Sequence, residues 1–368
     1  MSENMTEELR ALAREVLGDH ATSQQQAPGV ERDLDPGLWH TLAELGLTRL
    51  TGREEHGGSG AGWPEAAVLL WEAAAHGVPV PLLEHDLLAG WLRDTAGLAH
   101  GEGAPTTGEP ATEVPATEVP ATGEPATGVL ATGVLVSGGG PVTVPWLGPA
   151  STVVVLDARG AGPTAYEMPV GDLAITPART IAGEPAGRAV LPAAAEVAGA
   201  VTVDAAVVRE WEHRGALARA VQLAGAMDKV SWLCVGHAAG RTQFGRPLGR
   251  FQAVQQLVTE VACEAALCRA VVERAVQAVA TDGFHDPHAR FLVAAAKAAT
   301  GHSVTRVVRH AHQVHGAIGT ALEHPLQQYT RSLLAWRRDH GSTRHWEDRL
   351  ETTALAETGG DLWDTLTR

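Results

Sequence analysis

Two stretches carry side chains whose types could engage a ligand. The first reads Gly240-Arg241-Thr242-Gln243-Phe244-Gly245-Arg246-Pro247-Leu248, followed by Phe251-Gln252-Ala253-Val254-Gln255. Arg241 offers a planar guanidinium fork suited to phosphate oxygens, Gln243 adds hydrogen bonds, and Phe244 adds an aromatic face. The second reads Gln313-Val314-His315-Gly316-Ala317-Ile318-Gly319, where Gly316 suits a backbone that must come close to a ligand. Each residue also has an ordinary use: Arg241 could cap a helix C-terminus through the helix dipole, and Phe244 could be core. A third stretch, Arg338-Asp339-His340-Gly341-Ser342-Thr343, holds an imidazole. With an unperturbed pKa near ~6.5, His340 is a competent proton acceptor at neutral pH. Asp339 beside it would raise that pKa, or point into solvent.

The histidines raise the question of a metal. His310, His312 and His315 sit together, with His340 and His345 further on. On a helix 312 and 315 share a face whereas 310 and 312 do not, and neither an HExxH nor a Cys-pair pattern accompanies them. No metal is therefore expected, and these histidines read as polar surface or interface.

The elements that must position these residues follow from periodicity. Short amphipathic helices are expected over 5–18 and 36–47, the second on the spacing of Leu38, Trp39, Leu42, Leu45 and Leu47. A glycine-rich turn at 57–60 leads to a helix opened by Pro64, and another helix is expected over 82–95. Residues 111–135 are five near-identical pentads, ATEVP to ATGVL. Their proline and short period exclude regular helix, sheet or a solenoid unit, so 101–128 reads as an extended linker. Between 129 and 202, β-branched runs alternate with Gly and Pro, predicting a small antiparallel barrel or sandwich. From 203 to 368 the pattern is helical again. Helices are expected at about 206–240, 251–280, 288–316, 324–337 and 344–357, forming a bundle. On 251–280 the set Val254, Leu257, Val258, Val261, Ala265, Cys268, Val272, Ala275, Val276 and Val279 holds one face. The fold class is mostly α with a small β domain: an N-terminal helical domain (1–100), the linker, the β domain (129–202) and a C-terminal helical bundle (203–368).

Composition narrows the function. The chain has 368 residues and a formal net charge of −15, from 43 acidic and 28 basic side chains. That balance disfavours binding to nucleic acid, which needs a positive field. No apolar run reaches the ~20 residues of a membrane span. Three cysteines, an odd number, argue against a disulfide framework. With an acidic, amphipathic N-terminus unlike a signal peptide, a cytoplasmic protein is expected.

Together, the Arg-x-x-Phe-Gly turn, the Gln-Ala pair that opens the next helix, and the 313–319 segment followed by Glu323-His324-Pro325-Leu326 and Tyr329-Thr330-Arg331 resemble the acyl-CoA dehydrogenase family. The GGSG turn and the LAELGL helix fit as well, so the resemblance covers the chain outside the linker. It implies a flavoprotein that carries out α,β-oxidation of an acyl thioester, carried by coenzyme A or a carrier protein. It also implies FAD, with Arg241, Gln243 and Phe244 at the adenosine pyrophosphate end, and Gln252 and Ser342 among the contacts. Gln313, Gly316 and Ala317 would approach the same cofactor from a neighbouring subunit. Ala317 stands where the family has a second glycine. A homodimer, homotetramer or heterotetramer with a related subunit is implied.

The resemblance breaks at the base. The family holds a Glu carboxylate just before the turn that opens a late helix, and here His340 takes that place. Members that carry the Glu on the first long bundle helix align it with Gly215 and Ala216. Neither location holds a carboxylate. Three readings stay open: His340 is the base; the chain is a non-catalytic partner that completes another chain's flavin site; or the fold serves other flavin or redox-neutral chemistry. The family's Thr-Glu-Pro element of the β domain is also missing, the pentads standing in its place.

Overall fold

The computed structural model describes residues 3–24, 31–98 and 130–356. The 101–128 linker and its pentads up to residue 129 lie outside the described residues.

The N-terminal block is helical, as expected. Helices α1 (Glu3–Gln24) and α3 (Trp63–His76) pack together, with the buried Glu72 accepting from Arg14 Nε at 3.0 Å. Helix α2 (Pro36–Glu44) starts where Asp35 accepts hydrogen bonds from the N–H groups of Gly37 and Leu38, satisfying orphan donors of its first turn. The helix expected over 82–95 is a composite: a π-helical turn, Leu83–Gly90, runs into α4, Trp91–Ala96. That turn buries three consecutive polar residues, Glu84, His85 and Asp86, and π-turns of this kind concentrate at functional sites. Each is engaged: His85 Nδ1 accepts from Ala131 N–H at 3.0 Å, and Asp86 accepts from the N–H and hydroxyl of Thr51. Burial pushes the Asp86 carboxyl up to about 6 and the His85 imidazole down to about 3.

The middle region is two small sheets rather than a purely antiparallel barrel. One orders β1 (Ala131–Val136), β3 (Thr152–Asp157), β4 (Thr164–Pro169) and β7 (Val201–Thr202); the other orders β2 (Val142–Pro145), β6 (Pro185–Ala189) and β5 (Thr176–Arg179). The correction is that β1 and β3 run parallel, Ala131 opposite Thr152. Both are continuous apolar runs covered on two faces, the pattern of a parallel pair.

The C-terminal helices fall where expected: α5 (Ala205–Gly240), α6 (Gln252–Asp282), α7 (Pro287–His315), α8 (Leu326–Trp336) and α9 (Thr343–Ala356). Between α5 and α6 lies a short hairpin, β8 (Thr242–Gln243) with β9 (Arg246–Pro247). Helix α5 is the axis of the molecule, buried all round from Gly215 to Met227, which is why it shows no amphipathic stripe. Gly225 lets α3 come close, since a Cβ there would meet the Trp71 carbonyl oxygen at 2.7 Å. On α6 the expected face is buried from Val261 to Val279, while Val254, Leu257 and Val258 are half-buried. Among the described residues no helix is long and apolar enough to cross a membrane, and the three cysteines are free.

Candidate functional site

A cavity of about 310 Å³ opens where the π-turn, β1, β2, the first third of α5 and the α8–α9 turn meet. Its wall includes Glu84, the β1 backbone from Gly133 to Leu135, Trp211, Arg219 and His340. The α8–α9 turn aims His340 through a left-handed backbone, φ 52°, fixed by Trp346 Nε1 donating to the His340 carbonyl at 2.9 Å. The half-buried imidazole lies against Gly215, and a Cβ built there would overlap the ring. Positions 215 and 340, 125 residues apart in sequence, therefore meet at one place in space. His340 fills it from one side, and the glycine makes room from the other.

The charges around that ring are cationic. Arg219 is buried between Glu84 (Nη2–Oε1, 2.6 Å) and Asp339 (Nε–Oδ2, 3.2 Å), and donates to Gln222 at 2.6 Å. Lys297, fully buried, donates to the carbonyls of Trp336 and Arg337 at 3.3 and 2.9 Å, closing the C-terminus of α8; burial lowers its pKa to about 7. Asp339 turns to Arg219 instead of supporting the imidazole. Burial, then Arg219 and Lys297, push His340 down to about 3. This corrects the expectation that Asp339 would raise the pKa: the ring is neutral at pH 7. The carboxylates on the cavity wall are each paired with a guanidinium, Glu84 and Asp339 with Arg219, and Glu212 with Arg349 at 2.6 Å. Burial raises Glu84 against the pull of Arg219.

The other sequence-predicted residues sit at the far end of α5. Arg241 follows its last turn, and Arg241, Gln243 and Phe244 on the β8–β9 hairpin are exposed. Phe244, 87 % exposed at φ 53°, touches Phe251 edge-on, so it is not core. Gln252 opens α6, and Gln313, Gly316 and Ala317 close α7, all exposed. The two groups share one end of the bundle, because His237 in the last turn of α5 lies 4.4 Å from His315, ring to ring. Trp232, Ile318 and Leu322 leave large apolar surface exposed around them. Ser342 belongs to the opposite end, where its hydroxyl accepts from His345 N–H and starts α9. Gly215, against His340, and Arg241 stand 26 residues apart on α5, ~39 Å at the helical rise. No single dinucleotide spans that length.

Sequence reading did not find Glu84, Arg219 or Lys297. The available signals were three polar residues interrupting an apolar segment at 84–86, and a chain with only two lysines, one of them inside an apolar helix.

Comparison with known proteins gives two matches to one family: residues 2–96 match the acyl-CoA dehydrogenase N-terminal domain, and 206–344 the C-terminal domain. Acyl-CoA dehydrogenase IpdE2 of Mycolicibacterium smegmatis is 27 % identical over 350 residues, covering 92 % of this chain and 94 % of that protein. Among solved structures, the ChsE4-ChsE5 complex from Mycobacterium tuberculosis superposes with a TM-score of 0.78 at 22 % identity, over 98 % of this chain and 99 % of that one. The FAD complex of PigA superposes with a TM-score of 0.71 at 14 % identity, over 97 % and 99 %.

Proposed function

Because the chain belongs to the acyl-CoA dehydrogenase family, we propose that it is one subunit of a flavoprotein that oxidises an acyl thioester at Cα–Cβ, its flavin held between two chains. The observation that carries this reading is the place of the family's carboxylate. A neutral imidazole flanked by Arg219 and Lys297 stands there, and the nearby carboxylates are paired.

The residues fit FAD at its adenosine pyrophosphate end. Arg241, Gln243 and Phe244 present a cation, an amide and an aromatic face outward on one hairpin, with Gln252, Gln313, Gly316 and Ala317 beside them. His340 and Ser342, at the other end of α5, would face the ring system of a different flavin. The ~39 Å between the two ends supports a shared site, completed by a related chain bearing the Glu. When bound, FAD supplies the hydride acceptor for the β-hydrogen. Arg241 holds the pyrophosphate, Phe244 covers the adenosine, and the β1 backbone with Trp211 walls water from the acyl chain. In this chain His340 supplies shape, filling the place of the base, while proton abstraction falls to a carboxylate on the other chain. The likeness to the ChsE4-ChsE5 complex supports a heteromeric assembly. Coenzyme A or a carrier protein would bring the acyl group.

Co-expression with a related chain carrying Glu at the equivalent of His340 tests this. The complex is expected to turn over acyl thioesters, and His340→Gln in this chain is expected to leave the rate nearly unchanged. A true base would cost ~10²–10⁴-fold. Turnover by the isolated protein, abolished in His340→Gln, would overturn the reading in favour of a His340 base.

A further inference from the structure

His237, His315 and His324 form a cluster that sequence spacing could not link. They come from the last turn of α5, the last turn of α7 and the turn that precedes α8. Each contributes one ring nitrogen, and the three nitrogens lie within 4.8 Å of one another. The rings stand 4.4 Å (His237–His315), 4.9 Å (His315–His324) and 6.4 Å (His237–His324) apart. Of the histidines read from sequence, His310 turns instead to Glu260 and His312 to Thr330.

We propose that these three imidazoles bind a divalent transition ion of the zinc class, leaving the fourth position open to water. Three histidines with an open position are an established zinc donor set, and imidazole ligands select zinc, copper or nickel over magnesium or calcium. His315 already has the outer contact that a ligand needs. His315 Nδ1 donates to the Ala311 carbonyl at 2.8 Å, which leaves Nε2 as the nitrogen for a metal. His237 and His324 are half-exposed, which gives the ion a route in. Two adjustments complete the site. The nitrogens, now within 4.8 Å of one another, close to the ~3.4 Å of a tetrahedron with ~2.1 Å bonds. His324, whose Nδ1 accepts from Leu326 N–H at 3.1 Å, shifts its proton to Nδ1 and presents Nε2. That shift gives up the Leu326 hydrogen bond, and His324 lies in a turn rather than a helix. The ion would join the ends of α5 and α7 to the 316–325 turn, and so fix the backbone of Gly316 and Ala317.

The test is calorimetric titration of the untagged full chain, stripped with a chelator, with Zn²⁺, alongside visible spectra with Co²⁺. One zinc per chain is expected, with tetrahedral cobalt bands. His324→Ala should weaken zinc binding by at least ~10-fold, and His237→Ala/His324→Ala should abolish it and the cobalt bands with the helical circular dichroism retained. Wild-type protein that takes up no zinc, or a folded double variant that binds zinc as the wild type does, would overturn the proposal.

Discussion

Arg219→Met is expected to destabilise the protein by about 3–5 kcal/mol, the usual cost of removing one partner from a buried ion pair. Methionine keeps the aliphatic stem, so the loss reports the charge. Without Arg219, Glu84 is left buried with no cation within reach of its 2.6 Å contact, and Gln222 and Asp339 lose their donor as well. Urea unfolding measures the change. Glu84→Leu in the same chain should restore much of the loss, because a pair replaced on both sides costs little. A loss below about 1 kcal/mol would mean that Arg219 behaves as an exposed pair, and the cationic environment assigned to His340 would have to be withdrawn.

Arg241→Ala should act on ligand rather than on fold. Its side chain is exposed, so unfolding free energy is expected to stay within about 0.5 kcal/mol of wild type. Its backbone N–H still donates to the His237 carbonyl, which keeps the end of α5 intact. A charge-assisted hydrogen bond to pyrophosphate contributes about 1.5–3 kcal/mol, so flavin affinity in the assembly should fall ~10–150-fold. Fluorescence titration with FAD reads this directly. Unchanged affinity would remove Arg241 from the cofactor surface, and a matching fall in stability would make it a structural cap instead.

The helical ends of the molecule were legible because their chemistry is local. Val261, Ala265, Cys268 and Val272 mark one side of α6 by spacing alone, and that side is buried. The C-terminal boundary of α5 followed from the Arg-x-x-Phe-Gly turn, although its middle, buried all round, carries no periodic signal. The sheets were harder. An apolar run such as Thr152–Asp157 announces a strand but not its neighbour, and its parallel pairing with β1 is set by tertiary packing. The site divided in the same way. Residues of the Arg241 hairpin and of the 313–317 segment were found because each motif is contiguous. That Gly215 and His340 occupy one place was invisible, since 125 residues separate them. The electrostatics of His340 were invisible for the same reason: sequence offered Asp339 as its neighbour, whereas the fold turns Asp339 to Arg219 and brings Arg219 and Lys297 near the ring. His237 and His324 joined His315 only through the meeting of three chain ends.

Everything proposed for the flavin rests on one claim, that its two ends are held by different chains. Sedimentation of the protein with FAD, alone and co-expressed with a related Glu-bearing chain, followed at the flavin absorbance, tests it most directly. Flavin absorbance should travel only with a dimer or larger species and vanish from the fraction that sediments as monomer. Flavin travelling in stoichiometric amount with a single 38.5 kDa chain would contradict the claim.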